Sequence, residues 1–171
     1  MVKNVKVFSL FMLLVLVLSA CSNVSINKES KATLKTVKSV FADRVKKPNT
    51  SDGLLHFYLP SGYGIKDQTS NNILLKNGSN TYILFNNPEE NTLSQVVYKA
   101  STAKYKKLQT IATFHRNKKF GFLLIKHLKD DVNELTVGIG GTKMTTQTST
   151  ENLKREAKKM MQIVNSVQTS N

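Results

Sequence analysis

Apolar residues are spaced in three ways along this 171-residue chain, and each spacing predicts a different structure. From Val7 to Leu18 the run VFSLFMLLVLVL is continuous, broken only by Ser9. In residues 29–47, ESKATLKTVKSVFADRVKK, the residues Leu34, Val37, Val40, Phe41 and Val45 recur at helical spacing, with Lys31, Lys35, Lys38 and Arg44 mainly off that stripe. Residues 150–168 repeat the pattern: Leu153, Ala157, Met160, Met161, Val164 and Val167 form one face, and Lys154, Arg155, Lys158 and Lys159 lie mostly outside it. Between these helices the apolar runs are short and extended. They predict strands at LLHFYL (54–59), NILLK (72–76), TYILFN (81–86), LQTIATFHR (108–116), KFGFLLIKHL (119–128) and ELTVGIG (134–140). QVVYKAS (95–101) also reads as a strand, while AKYKKLQ (103–109) fits no single pattern.

The connections carry turn chemistry. KPNTSDG (47–53) is a loop, PSGYG (60–64) a turn, NGSN between the second and third strands a hairpin signal, and NPEEN (87–91) a further turn. NKK and KDDVN are short enough to join antiparallel neighbours. Thr148 and Glu151 have the spacing of a capping box at the start of the last helix. The expected fold class is α+β, a mostly antiparallel sheet flanked by an N-terminal and a C-terminal helix.

The continuous run changes the picture of where the chain works. A membrane-spanning helix needs about twenty apolar residues, and this run has twelve. With Lys3 and Lys6 before it and Ser19 and Ala20 after it, it reads as a secretion signal. Leu18-Ser19-Ala20-Cys21 resembles the lipobox of bacterial lipoproteins. That resemblance implies a diacylglyceryl thioether on the Cys21 thiol and cleavage by signal peptidase II between Ala20 and Cys21. Cys21 is the single cysteine, so an internal disulfide is excluded. Stable anchoring takes two lipid signals, and a diacylglyceryl group supplies two acyl chains. The expected organisation is a signal peptide at 1–20, a lipidated tether at 21–28 and one α+β domain at 29–171. The expected location is the extracytoplasmic side of the cell membrane.

Charge adds a class of partner. The chain carries +14; without residues 1–20, 23 basic residues face 11 acids, or +12 over 151 residues. Export argues against nucleic acid as the target of this charge. It leaves phospholipid head groups, phosphate-bearing wall polymers and acidic proteins, with a merely solvated basic surface as the alternative. The first helix, beside a lipid anchor, fits an anionic membrane surface as well as a packed core, and packing is the commoner use of such a stripe.

HFYLPSGYGI (56–65), the hairpin after it, the later paired strands and a last helix ending in IVNSV (163–167) resemble the photosystem II oxygen-evolving P protein and Mog1-like fold over residues 54–168. Tyr63 stands where many members carry Trp. The resemblance implies a largely non-catalytic binding or assembly module and assigns no functional residue here.

Candidate chemistry is sparse. His56, His115 and His127 have neither a second His nor a carboxylate at the spacing of a metal helix, and each reads as structural. GIGGTK (138–143) lacks the G-x-x-x-x-G-K-[ST] order of a phosphate loop: Lys does not follow Gly141, and Met144 stands where Ser or Thr is needed. No Gly-x-Ser-x-Gly elbow occurs, and Cys21 is committed to lipid. Asp130 with Asp131, Glu89 with Glu90, and the Asn77-Gly78-Ser79 sequon all read as turns. The aromatic residues of the strands offer either a core or a stacking platform for bases, and a domain of this size uses them as core. No catalytic residue, metal or cofactor is expected. Two binding functions remain: a protein-interaction or assembly module, with an apolar or mixed patch on one sheet face, and a binder of anionic envelope polymers or lipids, with lysines clustered from segments 28–47, 99–119 and 154–159.

Overall fold

Alternation along strands of this kind demands a sheet with one buried face, and the computed structural model, which describes residues 25–53 and 55–169, contains one of seven strands. The signal peptide, the lipobox residues Leu18 to Cys21 and Leu54 lie outside the described residues. In chain order the elements are α1 (Ile26–Ala42), β1 (Thr50–Asp52), β2 (Leu55–Phe57), β3 (Gly64–Gln68), β4 (Asn72–Asn77), β5 (Asn80–Asn86), α2 (Val96–Ala103), β6 (Thr110–Arg116), β7 (Lys119–Lys129), β8 (Val132–Ile139), β9 (Thr142–Ser149), a 3₁₀ turn (Thr150–Asn152), α3 (Leu153–Ser166) and β10 (Gln168–Thr169). The large sheet runs β3-β4-β5-β9-β8-β7-β6 and is antiparallel throughout; β1, β2 and β10 form a small second sheet with β2 central. The fold class is α+β, as the pattern predicts.

The helices α1 and α3 pack side by side on one face of the large sheet. Val37, Val40 and Phe41 of α1 and Leu153, Ala157, Met160, Met161, Ile163 and Val164 of α3 meet Leu75, Tyr82, Leu84, Leu123, Ile125, Leu135, Val137 and Met144 of the strands in one cluster. Each fully buried side chain of this size contributes roughly 1.5–3 kcal/mol. All of it lies within the segment that follows Cys21. On the opposite face only α2 covers the sheet: Val97 and the half-buried Tyr98 close over Phe120, Phe122 and Leu124.

Three predicted features differ in the structure, and further strands appear that were not predicted. QVVYKAS is the helix α2: Val97 and Ser101, four residues apart, are its buried positions, and this period-four burial overrides the strand preference of Val-Val-Tyr. Helix α1 begins at Ile26, inside the expected tether, and stops at Ala42, so Val45 leaves the stripe and is exposed. The capping box does not form. Thr148 is still in β9 with no side-chain cap at α3, and the Thr150 amide donates instead to the backbone oxygen and Oδ1 of Asp131. Finally, β1, β3, β9 and β10 are strands that the pattern missed: β1 lies in KPNTSDG, expected as a loop, and β10 starts at Gln168, expected as the end of the last helix. All five residues of β3 are exposed, and β9 buries Thr142, Thr146 and Thr148 around a single Met144.

Turn backbone follows the hairpin rules. Between β4 and β5, Gly78 alone has positive φ, at the first central position, as in a type II′ turn. Between β6 and β7, Asn117 and Lys118 have φ of 49° and 59°, which is the type I′ pattern. Lys118 is strained there, because a Cβ in the left-handed region costs about 1 kcal/mol or more. Edge strand β3 carries a bulge between Ile65 and Asp67.

A buried acid joins the two halves of the structure. Glu156 of α3 is 3% exposed. Its Oε2 accepts hydrogen bonds from the hydroxyls of Tyr82 (2.7 Å) and Tyr63 (3.5 Å), and its Oε1 accepts from Arg155 at 3.0 Å. Burial above all pushes both phenols above the ordinary tyrosine value, helped at Tyr63 by Tyr82 and Glu156 and at Tyr82 by Glu156 against a lowering contact with Tyr63, so they stay protonated as donors. Glu156→Ala leaves both hydroxyls without this acceptor and should cost about 3 kcal/mol in urea unfolding, whereas Glu156→Gln should cost about 1 kcal/mol. Lys118→Gly should raise stability by about 0.5–1 kcal/mol in the same assay, since Asn-Gly is the favoured type I′ pair.

Candidate functional site

One sheet face is sealed by two helices, whereas the other is left partly open. Along β5, Tyr82, Leu84 and Asn86 point into the helical layer, so Ile83 and Phe85 point outward. On β9 and β8 the same alternation turns Lys143, Thr145, Glu134 and Thr136 outward. Helix α2 crosses this face, seating Val97 over β7 and Ser101 beside Lys143 of β9, and leaves the rest open. Beside it a cleft of about 580 Å³ remains, with Ile83, Phe85 and Val96 as apolar walls and Lys143, Glu134 and Tyr105 as polar groups. Ile83 is 47% and Val96 52% exposed at its rim.

Lys143 sits on the cleft floor. Its Nζ donates to Ser101 Oγ on the buried side of α2 (3.0 Å) and lies 5.7 Å from the centre of the Phe85 ring. Burial first, and the nearby Lys104 ammonium second, hold its pKa below the usual lysine value, while Glu134 pulls the other way. Among the described residues the one ion pair is Arg155 with Glu156, so Lys143 is a half-buried cation without a carboxylate in ion-pair contact. Tyr105 donates its hydroxyl to Glu134. Burial and that hydrogen bond push the phenol up to about 12. Lys126 lies over the same ring, 4.9 Å from its centre. The cleft is therefore a mixed surface with an under-neutralised cation at its base, suited to an acidic group on an apolar body.

The sequence-predicted residues fall elsewhere. Cys21 and its flanks lie outside the described residues. His56 is half-buried in the small sheet opposite Ser51 and Gln168. His115 packs edge-on to Phe120, and His127 contacts Asn133 through Nδ1 at 3.1 Å. These three sit on different elements and converge on no common point of the cleft. GIGGTK is the β8–β9 hairpin: Gly140 has φ +54°, and a Cβ there would lie 2.2 Å from the Asn91 carbonyl oxygen. A strand follows this turn, not the helix a phosphate loop requires. Asp131 serves as the acceptor for Thr150, and Asn77-Gly78-Ser79 is the β4–β5 turn.

The aromatic residues form core and not an exposed platform. Phe57, Tyr82, Phe120 and Phe122 are buried to 2% exposure or less. The lysines divide between two places. Lys104, Lys106 and Lys107 gather with Lys126 in one groove, and Lys46, Arg44 and Lys158 gather in another where α1 ends against α3. The residues of the cleft itself, Lys143, Glu134, Tyr105 and Ser101, escape sequence reasoning. Their one available signal is a lysine between Thr142 and Met144, the single charged residue of its strand.

No family model matches the chain, and no curated protein matches it.

The lowered Lys143 pKa fixes a pH dependence. The folded chain binds this proton less tightly than the unfolded chain, so stability rises as pH climbs from the lowered value towards the ordinary 10.5. Lys143→Met should raise the melting midpoint near neutral pH, and the gain should shrink as pH rises through that window. Scanning calorimetry across the range checks both signs.

Proposed function

We propose that this chain is a bacterial membrane lipoprotein, held by a diacylglyceryl group on Cys21, whose α+β domain binds a partner on the extracytoplasmic side and catalyses no reaction. The observation that carries the binding reading is the unequal covering of the seven-stranded sheet. Helices α1 and α3 bury one face, while the eight-residue α2 leaves Ile83, Val96 and Lys143 accessible on the other. A fold that needed only stability would gain by covering those apolar side chains. The partner that fits is an envelope protein presenting an acidic group beside an apolar one, the acid meeting Lys143 and Lys104. The tether concentrates the domain near membrane partners and so strengthens a contact of modest intrinsic affinity.

Anchor and binding face are tested separately. Cys21→Ala should abolish fatty-acid labelling and leave a precursor that still carries residues 1–20, read by intact mass. Envelope fragments should retain the mature chain bearing Cys21→Ser, which lacks the acyl chains, through washes of rising salt, because an apolar contact is screened less than surface charge. Ile83→Glu with Val96→Glu should release it. Retention unaffected by those two charges would rule out the α2 cleft as the contact.

A further inference from the structure

The basic groove beside the cleft lies at the amino end of α1. Lys104, Lys106 and Lys107 follow α2, and Lys126 reaches over from β7; with Gln109 they line a depression of about 630 Å³ that has no acidic residue in its wall. Gln109 fixes its position in the fold. The Gln109 amide donates to the Ile125 carbonyl (2.8 Å), and its Nε2 donates to Asn27 Oδ1 (2.7 Å), on the first turn of α1. Lys28, next to Asn27, is exposed. The nearby acids are Glu29 in the first turn of α1, and Glu134, whose carboxylate accepts the Tyr105 hydroxyl. The groove is thus a local concentration of positive charge locked to the amino end of α1.

Only the segment from Cys21 to Ser25 separates that end from the expected lipid, and four residue steps span at most about 14 Å. The second basic cluster, Arg44, Lys46 and Lys158, lies at the other end of α1. Seventeen helical residues hold it about 25 Å away. An anionic bilayer attracts lysines near its surface and loses its hold within a Debye length, about 8 Å at physiological salt. With α1 standing away from the surface, the groove is the cluster that can come within that layer, and the second cluster reaches it only if α1 lies flat.

We propose that the groove formed by Lys104, Lys106, Lys107 and Lys126 seats on the anionic phospholipid head groups of the membrane that holds the anchor. This rests on the lipoprotein reading above and adds an orientation to it: the groove faces the bilayer, and the opposite end of α1 points away. The groove supplies a second, electrostatic membrane signal beside the acyl chains.

The test uses the mature chain with Cys21→Ser, so that acyl chains do not dominate, and phosphatidylcholine vesicles with and without phosphatidylglycerol. Cosedimentation should require phosphatidylglycerol and fade with salt. Replacing the four groove lysines by Gln should weaken binding at least tenfold, since each lysine near the surface is worth about fivefold. Removing the same charge from Arg44, Lys46, Lys47 and Lys158 should change it less than about threefold. Replacing the groove lysines by Arg should retain binding, which separates lost charge from lost fold. Equal weakening by the two neutral sets, or binding to a phosphate-bearing wall polymer without binding to the vesicles, overturns the proposal. The intact mass of the chain from native membranes reads acylation of Cys21 independently. An unmodified thiol would refute the anchor, whereas vesicle binding insensitive to the groove refutes only the orientation.

Discussion

Glu156 is a carboxylate in the middle of an apolar layer, and the arrangement around it follows from the need to satisfy that group. A buried acid is tolerated only when hydrogen bonds replace its lost water. Here they come from Tyr82 on β5 and Tyr63 in the turn before β3, with Arg155 reaching in from the surface. The sheet order places β3, β4 and β5 on one side of β9, and β8, β7 and β6 on the other. Glu156 lets α3, which packs chiefly on β8 and β9, grip the first group as well. The inward aim of Tyr82 then sets the parity of β5, and that parity turns Ile83 and Phe85 outward to wall the cleft. A polar requirement on the closed face thereby fixes what the open face displays.

What could be read from the sequence divides along physical lines. The β4–β5 and β7–β8 pairs were legible because apolar alternation and turn residues agree there. Helix α3 was legible from its stripe, with every named residue but Val167 fully buried. Strand β9 was not, although it is central, because its inward positions are threonines. Thr146 donates to the Thr81 carbonyl and Thr142 to Asn86, so hydrogen bonds do there what methyl groups do elsewhere. Helix α2 was misread because β-branched and aromatic residues suit strands until a sheet face beneath them favours burial every fourth position. Glu156 was hidden for a related reason: a glutamate on a lysine-rich helix looks solvated until its tyrosine partners, 74 and 93 residues away in sequence, are brought to it.

The candidate site was the least legible part. A cleft assembled from β5, α2, β8 and β9 has no linear motif, and its polar groups are common residues in separate segments. The expectation of a mixed patch on one sheet face named a kind of surface but could not locate it. Lys143 acquires its character only from what folds around it: Ser101 as acceptor, Phe85 as neighbour, and Lys104 as a like charge. The lysine clusters were half-legible. Their segments could be listed, but which lysines share a groove depends on β7 running past the end of α2.

The bulge in β3 bears on how such domains live together. The seven-stranded sheet does not close on itself, so β3 and β6 are free margins with unpaired backbone groups. Under the proposed anchoring, copies would move in two dimensions on a bilayer and would meet far more often than in dilute solution. Margin-to-margin joining would then grow with expression level and turn separate domains into sheets of fused chains. The irregularity between Ile65 and Asp67, with the exposed charge of Lys66 inside it, interrupts the regular ladder a neighbour would need. That short, charged, kinked strand adds nothing to the apolar core, and its irregular edge disfavours pairing with a second copy.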